Sequence, residues 1–384
     1  MWRSVASNGI TILIVLILTL GAVVGWGQSQ FTGEGPLAQA ICLKVDRGSS
    51  MARVSRDLES QGAVSNARIF RVGADYSDKS EKLKAGSYLV PENSSMEEIV
   101  DIVTRGGQST CGTEVNFRIG ITTASIQVRE LDPATNRFVE VASFKPAEEG
   151  VPAAYTEVRA ASDTRYRVTL AEGATSWQVV EALKSADFLA GVVDQLPPEG
   201  MLAPDSYEVR PKGSREELID RMMSAQSQIL ASAWANRSAD TPLRNPTEAL
   251  ILASIVEKET GVASERKQVA SVFTNRLLKG MRLQTDPTVI YGITKGEGVL
   301  GRGLRQSELR RETPFNTYTI DGLPPTPIAN PGRASIEAAL NPDSTDFIFF
   351  VADGTGGHAF AITLAEHNEN VAKWRKIEAE RANQ

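Results

Sequence analysis

Residues Ile10 to Trp26 read ITILIVLILTLGAVVGW, an apolar run with no charge in it. A stretch that is apolar on every face cannot serve as the amphipathic layer of a water-soluble fold. As a helix it extends about 26 Å at 1.5 Å per residue, near the lower limit for crossing a bilayer. The run is therefore predicted to be an uncleaved transmembrane helix. A cleaved signal peptide fits less well, because little positive charge precedes the run and no A-x-A follows it directly; LAQA at Leu37 to Ala40 lies too far on. Arg3 precedes the run and no Lys or Arg follows until Lys44. The positive-inside bias then leaves residues 1–9 as a cytoplasmic stub and puts the bulk of the chain outside, with Trp26 at the far interface.

The remainder is a folded protein in composition, 41% hydrophobic and 23% charged, and 384 residues leave room for two or three domains. The net charge of −6, without a Lys/Arg cluster, argues against nucleic acid as a partner. It fits a neutral polymer such as a polysaccharide. Cys42 and Cys111 form no CxxC and no Cys/His cluster, and His358 and His367 are the only histidines. No metal and no cofactor is expected. The two cysteines could pair in an oxidising compartment or stay separate thiols in a reducing one.

Residues 27–40 lack periodicity and read as a tether. A pattern then recurs: an extended stretch, a turn, a hydroxyl residue, and apolar residues four and eight positions later. Ser50 precedes Val54 and Leu58; Ser95 precedes Ile99 and Val103; Thr175 precedes Val179 and Leu183; Ser214 precedes Leu218 and Met222. The hydroxyl suits a helix N-cap, and the later positions share one helical face. Glu98 and Glu217 complete capping boxes with Ser95 and Ser214. Such strand-helix modules, in residues 41–112 and 168–240, can dock glycans, or can be generic pieces of an α+β fold. Between them, residues 113–167 alternate β-branched residues and read as a β-rich insertion, with a turn at Asp132 to Asn136. Arg215 to Trp234 is helical in pattern. Asn236 to Pro246 is a polar linker, after which a C-terminal α+β domain occupies 241–384.

That domain opens clearly, with Asn245 as cap, Pro246 in the first turn and Glu248 closing a capping box. The helix is apolar nearly throughout and ends in two acids. Glu259 continues the stripe Leu252, Ile255, Val256, whereas Glu257 follows the smaller, more polar Leu250, Ala253, Ser254. A carboxyl among apolar walls at a helix C-terminus holds its proton to higher pH, as a general acid must. Downstream, Gln284, Asp286 and Tyr291 surround Pro287, and a Pro-rich loop carries Asn316, Thr317 and Tyr318. Pro-stiffened loops bearing Asn, Thr and Tyr commonly line clefts, and Tyr and Asn suit sugars. DFIFFVAD reads as a short buried strand, and GTGGHAFAIT as a turn and a paired strand.

At IVEKETGVASERKQVASVFTNRL, GMRLQTDPTVIYG, NTYTIDGLPPTPIANPG and FVADGTGGHAF with EHN after it, the chain resembles the membrane-anchored endolytic murein transglycosylases, the MltG or YceG-like family. The resemblance reaches more loosely to EGMLAPDSYEV and to the capped modules, which look like the family's LysM-like part; residues 113–167 fall outside it. It implies that Glu259 is the catalytic acid, that Gln284, Asp286, Asn316, Thr317 and Tyr318 hold sugar or support Glu259, and that the substrate is peptidoglycan. It further implies cleavage of the MurNAc–GlcNAc bond within a strand, leaving a 1,6-anhydroMurNAc end. Peptidoglycan synthases would be the protein partners, at the bacterial inner membrane with most of the chain periplasmic. Asp286 can alternatively cap the Pro287 turn. Two rival readings stay open: a hydrolytic muramidase with Asp286 as second carboxylate, and a non-catalytic peptidoglycan-binding scaffold.

Overall fold

The computed structural model describes residues 2–106, 110–146, 148–161 and 163–382. The elements, in order, are α1 (Trp2–Thr32), β1 (Ile41–Val45), α2 (Met51–Ser60), α3 (Ala67–Tyr76), β2 (Gly86–Val90) and α4 (Met96–Thr104), then β3 (Thr113–Ile119), β4 (Ala124–Asp132), β5 (Arg137–Phe144), α5 (Ala153–Ala160), β6 (Arg165–Leu170), α6 (Ser176–Lys184) and β7 (Ser206–Val209). Next come α7 (Arg215–Ala235), α8 (Pro246–Glu259), α9 (Arg266–Leu278), α10 (Asp286–Thr294), α11 (Gln306–Arg310), α12 (Arg333–Leu340), β8 (Phe349–Ala352), β9 (His358–Ala361) and α13 (Leu364–Ala382). This is an α+β architecture with a long apolar helix leading it. Strands β3 to β7 make a sheet of order β5-β4-β3-β6-β7. The chain divides into two compact units, one of Met1–Val115, Gln127–Ser143 and Val151–Arg165, the other of Asn116–Ile126, Phe144–Gly150 and Tyr166–Gln384.

In the first unit, the segment Thr11–Thr32 of α1 is long and apolar enough to cross a membrane, and none of it is buried in protein. The helix runs past Trp26 to Thr32, so it takes in the start of the expected tether. What remains of that tether is not loose. The Phe31 ring lies against Gly73 of α3, where any Cβ would overlap it. Leu37 is buried; Gly35 N–H donates to Asn93 O at 3.1 Å and Asn93 N–H to Leu37 O at 2.9 Å. Burial of Leu37 and the packing of half-buried Phe31 on the core provide the driving force that the polar sequence around them conceals.

Strands β1 and β2 pair antiparallel from Ile41 opposite Val90 to Val45 opposite Gly86, with α2 and α3 between them in sequence. Helix α2 is capped by Ser50, whose side chain accepts from Arg53 N–H, and α4 by a complete capping box of Ser95 and Glu98. Val54, Leu58, Ile99 and Val103 are all buried. Helix α3 was not legible, because its buried positions are only Ala67, Phe70 and Ala74. Cys42 and Cys111 form a disulfide with Cα atoms 5.6 Å apart. In the β-rich stretch, the turn forms as expected: Asp132 accepts from Ala134 N–H at 3.1 Å and from the Thr135 hydroxyl at 2.7 Å. Glu114, 2% exposed, pairs with Arg129 and with Arg165 at 3.2 Å, and both guanidinium groups lie over the Phe138 ring.

In the second unit, Thr175 and Gln178 make a complete capping box on α6. Ser214 caps α7 through Glu216 and Glu217 N–H, and Glu217 does not reach back as a box would require. Val179, Leu183, Leu218 and Met222 are buried. One core gathers Leu230 and Ala233 of α7, Leu243, most of α8, Val269 and Phe273 of α9, and Ile336 to Leu340 of α12. Asn236 to Pro246 is therefore a connection within this unit rather than a break in the core. Buried amides fasten the long loops: Gln226 Nε2 donates to Gly200 O and Pro331 O, both at 3.0 Å, and Asn330 Oδ1 accepts from Leu202 N–H at 2.8 Å. Strands β8 and β9 pair as a hairpin, with Phe349 opposite Ala361. β8 is half-buried rather than buried, with Phe349 against His367 of α13 and Phe350 against Phe273 of α9.

Two of these features carry measurable stability. Replacing both Cys42 and Cys111 with Ser should cost about 2 to 4 kcal/mol in urea unfolding, since the bond closes a long loop; thiol titration of the native, unreduced protein should find no free sulfhydryl. Glu114→Gln should cost about 3 kcal/mol, because two arginines lose the charge that compensates them.

Candidate active site

Helix α8 starts with Asn245 Oδ1 accepting Glu248 N–H at 2.9 Å and Pro246 in the first turn. Glu248 does not close the box; its carboxylate accepts Arg244 N–H and Arg244 Nε, both at 2.8 Å. From Ala249 to Val256 every residue is buried. Both faces of the helix are therefore core, and the apolar stripe alone does not distinguish Glu257 from Glu259. Their partners do. Glu257 Oε2 accepts Gly332 N–H at 3.0 Å and the Ser335 hydroxyl at 2.7 Å. It thereby caps α12, whose own N-cap, Gly332, has no side chain to do so. Glu259 accepts the Thr285 hydroxyl. Among the described residues it has no ion-pair partner within 4.0 Å.

Thr285 stands at the N-cap of α10 yet makes no side-chain cap bond, because its hydroxyl is given to Glu259. The rest of Thr285 is held firmly. Its N–H donates to Thr317 Oγ1 at 3.0 Å, and Thr288 Oγ1, 2.9 Å from Thr317 Oγ1, donates to Thr285 O at 2.8 Å. All three threonines are buried. Gln284 N–H donates to Thr317 O at 3.1 Å. Gln284 itself sits at φ +52°, a left-handed turn that leaves its side chain exposed.

The expected site residues thus gather around one carboxyl but do different things. Asp286 is exposed, and its Oδ1 accepts the hydroxyl of half-buried Tyr318 at 2.7 Å. Asn316 is fully buried: its amide donates to Leu309 O at 3.1 Å and Arg311 O at 2.6 Å, and its Oδ1 accepts Tyr318 N–H at 3.0 Å. Asn316 and Thr317 are spent on protein partners and fix the loop, while Gln284, Asp286 and Tyr318 remain reachable from outside.

Two groups that no local pattern singled out also act on Glu259 electrostatically. Arg276 of α9 is 7% exposed, donating from Nε to Ile348 O at 2.7 Å and from Nη1 to Leu283 O at 2.6 Å. His358 begins β9. Its presence in GTGGHAF was the available signal. Burial pushes the Glu259 carboxyl above the usual range; the Thr285 hydroxyl pulls it back, the charge of Asp286 raises it, and His358 and Arg276 lower it. The Tyr318 phenol is raised as well, first by burial, then by its bond to Asp286. A carboxyl with raised proton affinity, near the exposed Gln284 and Asp286 and the half-buried Tyr318, can protonate a leaving oxygen.

This raised proton affinity has a stability signature. At low pH, Glu259 is protonated in folded and unfolded chains alike. As pH rises above the ordinary carboxylate range, about 4.3, the unfolded chain ionises first, and the folded state loses relative stability until the folded group ionises too. Glu259→Gln should therefore melt at a temperature equal to or above wild type near neutral pH, with the difference shrinking toward pH 4. Calorimetry across that range checks it; a Gln variant that is increasingly the less stable one as pH rises would contradict it.

Comparison with known proteins gives a consistent outcome. The chain is 26% identical over 374 residues to the endolytic murein transglycosylase of Bacillus subtilis strain 168, covering 93% of this chain and 91% of that protein. It is 28% identical over 340 residues to the endolytic murein transglycosylase of Streptococcus pneumoniae serotype 2 strain D39, covering 87% of this chain but 58% of that longer protein. A crystal structure of a yceG-like protein from Listeria monocytogenes aligns with 26% identity over 86% of this chain and 99% of that one, at a TM-score of 0.45. The sequence profile of the YceG-like family matches residues 43–373. That span is most of the chain, and the chain belongs to the YceG-like family.

Proposed function

We propose that this protein is a membrane-anchored endolytic lytic transglycosylase that cuts the MurNAc–GlcNAc bond within peptidoglycan glycan strands. The observation that carries the reading is Glu259, a carboxyl whose hold on its proton is strengthened by burial and which accepts a hydroxyl rather than pairing with a counter-ion. In the reaction, Glu259 gives its proton to the glycosidic oxygen as the C1–O bond breaks. The resulting carboxylate takes the proton from the C6 hydroxyl of the same MurNAc. That oxygen bonds to C1 and closes the 1,6-anhydro ring, so no water enters and Glu259 ends protonated, as it began. One carboxyl therefore suffices where hydrolases use two. Gln284, Asp286 and Tyr318 contact sugar, while Asn316 and Thr317 act through the loop and Thr285. The bond from Tyr318 to Asp286 favours a binding role for Asp286 over that of a base activating water.

The β1-α2-α3-β2 unit, with antiparallel β1 and β2, supports a LysM-like glycan-docking module. Helix α1 is read as the single-pass anchor in the bacterial inner membrane, and the Cys42–Cys111 disulfide favours an oxidising, periplasmic side for the chain beyond the anchor. Peptidoglycan synthases near the membrane are the partners this placement suits. The catalytic part comprises residues 241–384, with α7 packed onto it.

Purified full-length protein in detergent, incubated with sacculi, should release fragments ending in 1,6-anhydroMurNAc. Glu259→Gln should lower the rate at least about a hundredfold, as expected for loss of a general acid, and Asp286→Asn about tenfold or more. Mass spectrometry of the products decides. Ends heavier by one water would mean hydrolysis, and unchanged release by Glu259→Gln would mean that the chain only binds.

A further inference from the structure

Trp177 stands in the first turn of α6 and is only half-buried, whereas Ser176, Val179, Val180 and Leu183 of the same helix are buried. Those four form the core face. Trp177, Glu181 and Ser185 recur every four positions on another face and line a cleft of about 330 Å³. Its second wall is the turn between β3 and β4, with Thr122 and Thr123, and its third is Lys145, Pro146 and Glu148 after β5. All of these residues belong to the second unit. The walls are fixed: Gln178 Nε2 donates to Ile121 O at 2.8 Å, Gly120 N–H to Thr123 O at 3.0 Å, and Ala171 N–H to Ile119 O at 2.8 Å. The Trp177 indole, by contrast, has no hydrogen bond or ring contact among the described residues. A tryptophan present for the core would be buried with its N–H paired. This one offers a flat apolar face and a free donor in a cleft edged by hydroxyls and carboxylates. Glu148 and Glu181 each bond a lysine, and a carboxylate can accept further donors. An apolar platform with a polar rim suits a sugar ring, whose C–H face stacks while its hydroxyls bond.

The cleft is joined to the candidate active site on two sides. Ile121, Glu257 and Lys258 close on one glycine: a Cβ on Gly173 would lie 3.7 Å from Ile121 Cγ2, Glu257 Cγ and Lys258 Cδ alike. Lys258 Nζ also donates to Gly173 O at 3.2 Å, and Glu259 is the next residue. On the other side, the start of α6 is bonded to the end of α10. Thr175 Oγ1 donates to Gly296 O at 2.6 Å, and Glu199 accepts Ser176 N–H at 2.9 Å and the Tyr291 hydroxyl at 3.1 Å. Helix α10 begins at Asp286, next to the threonine that holds Glu259. Its nine residues extend about 14 Å. We propose that the Trp177 cleft is a distal subsite for the glycan strand cut at Glu259. A saccharide ring stacks on the indole, and Thr122, Thr123, Glu148 and Glu181 take its hydroxyl and acetamido groups. The inference rests on the transglycosylase reading above. Thr122, Thr123, Lys145 and Glu148 come from the β-rich stretch that falls outside the family resemblance, and the subsite gives that stretch a role. Binding energy gained far from the cut favours strands long enough to reach both places, as cleavage within a strand requires.

The test is binding of peptide-free glycan strands of graded length to the full-length protein in detergent, with Glu259→Gln in every sample to stop turnover. Trp177→Ala should weaken binding of long strands about tenfold, the scale of an aromatic stack. Trp177→Phe should restore most of that affinity. The loss should shrink for strands too short to span from Asp286 to α6. Thr123→Arg, on an exposed turn, fills the cleft without touching the core and should have the same effect; it decides the matter if Trp177→Ala melts well below the parent. Equal affinity in the parent and both variants would overturn the subsite alone, as would a loss that is the same at every length. A parent protein that binds no strand of any length would overturn the substrate reading, and the subsite with it.

Discussion

Everything at the site depends on the burial of α8. A helix surrounded by core from Ala249 to Val256 has no freedom to tilt or slide. Each fully buried Leu or Ile along it contributes about 1.5 to 3 kcal/mol, and an Ala in their place would leave a cavity that costs more still. The carboxyl at its last residue is thus held at the end of a fully buried helix. That stability offsets the cost of keeping a carboxyl where it is poorly solvated. Functional groups with shifted proton affinity are destabilising in themselves, and a rigid core is what allows one to persist.

What meets the carboxyl is equally telling. A counter-ion would have favoured the charged form of Glu259. The protein supplies a threonine hydroxyl instead, and buries that threonine with two more so that its direction cannot wander. Arg276 is held back by its bonds to two backbone carbonyls, and its charge lowers the proton affinity of Glu259 without an ion pair.

Local features were legible in the sequence, and distant ones were not. Ser50, Ser95, Thr175 and Ser214 could be read because a cap is made by residues within three positions of one another. The apolar residues that follow them could be read because a helix repeats. The long apolar helix was legible from hydropathy, although its end was not, since Phe31 and Leu37 find their partners on α3 and near Asn93. The choice between Glu257 and Glu259 turns on Ser335, 78 residues away, and Thr285, 26 residues away. Periodicity carries no such information. His358 went unassigned for the same reason: its ring meets Glu265, 93 residues earlier in the chain. The resemblance to a family reached these contacts only because motif spacing stores them indirectly.

The seat of Phe31 against Gly73 bears on how this protein can be prepared without its apolar N-terminal run. A cut made where the apolar run stops, just after Trp26, would retain Phe31 and Leu37 and leave the first unit's core whole. A cut placed by eye at the first strand, near Ile41, would strip two residues from that core and bare the α3 surface beneath them. The apolar helix and the folded body thus share the end of α1, and that shared end sets the shortest form that keeps Phe31 on α3.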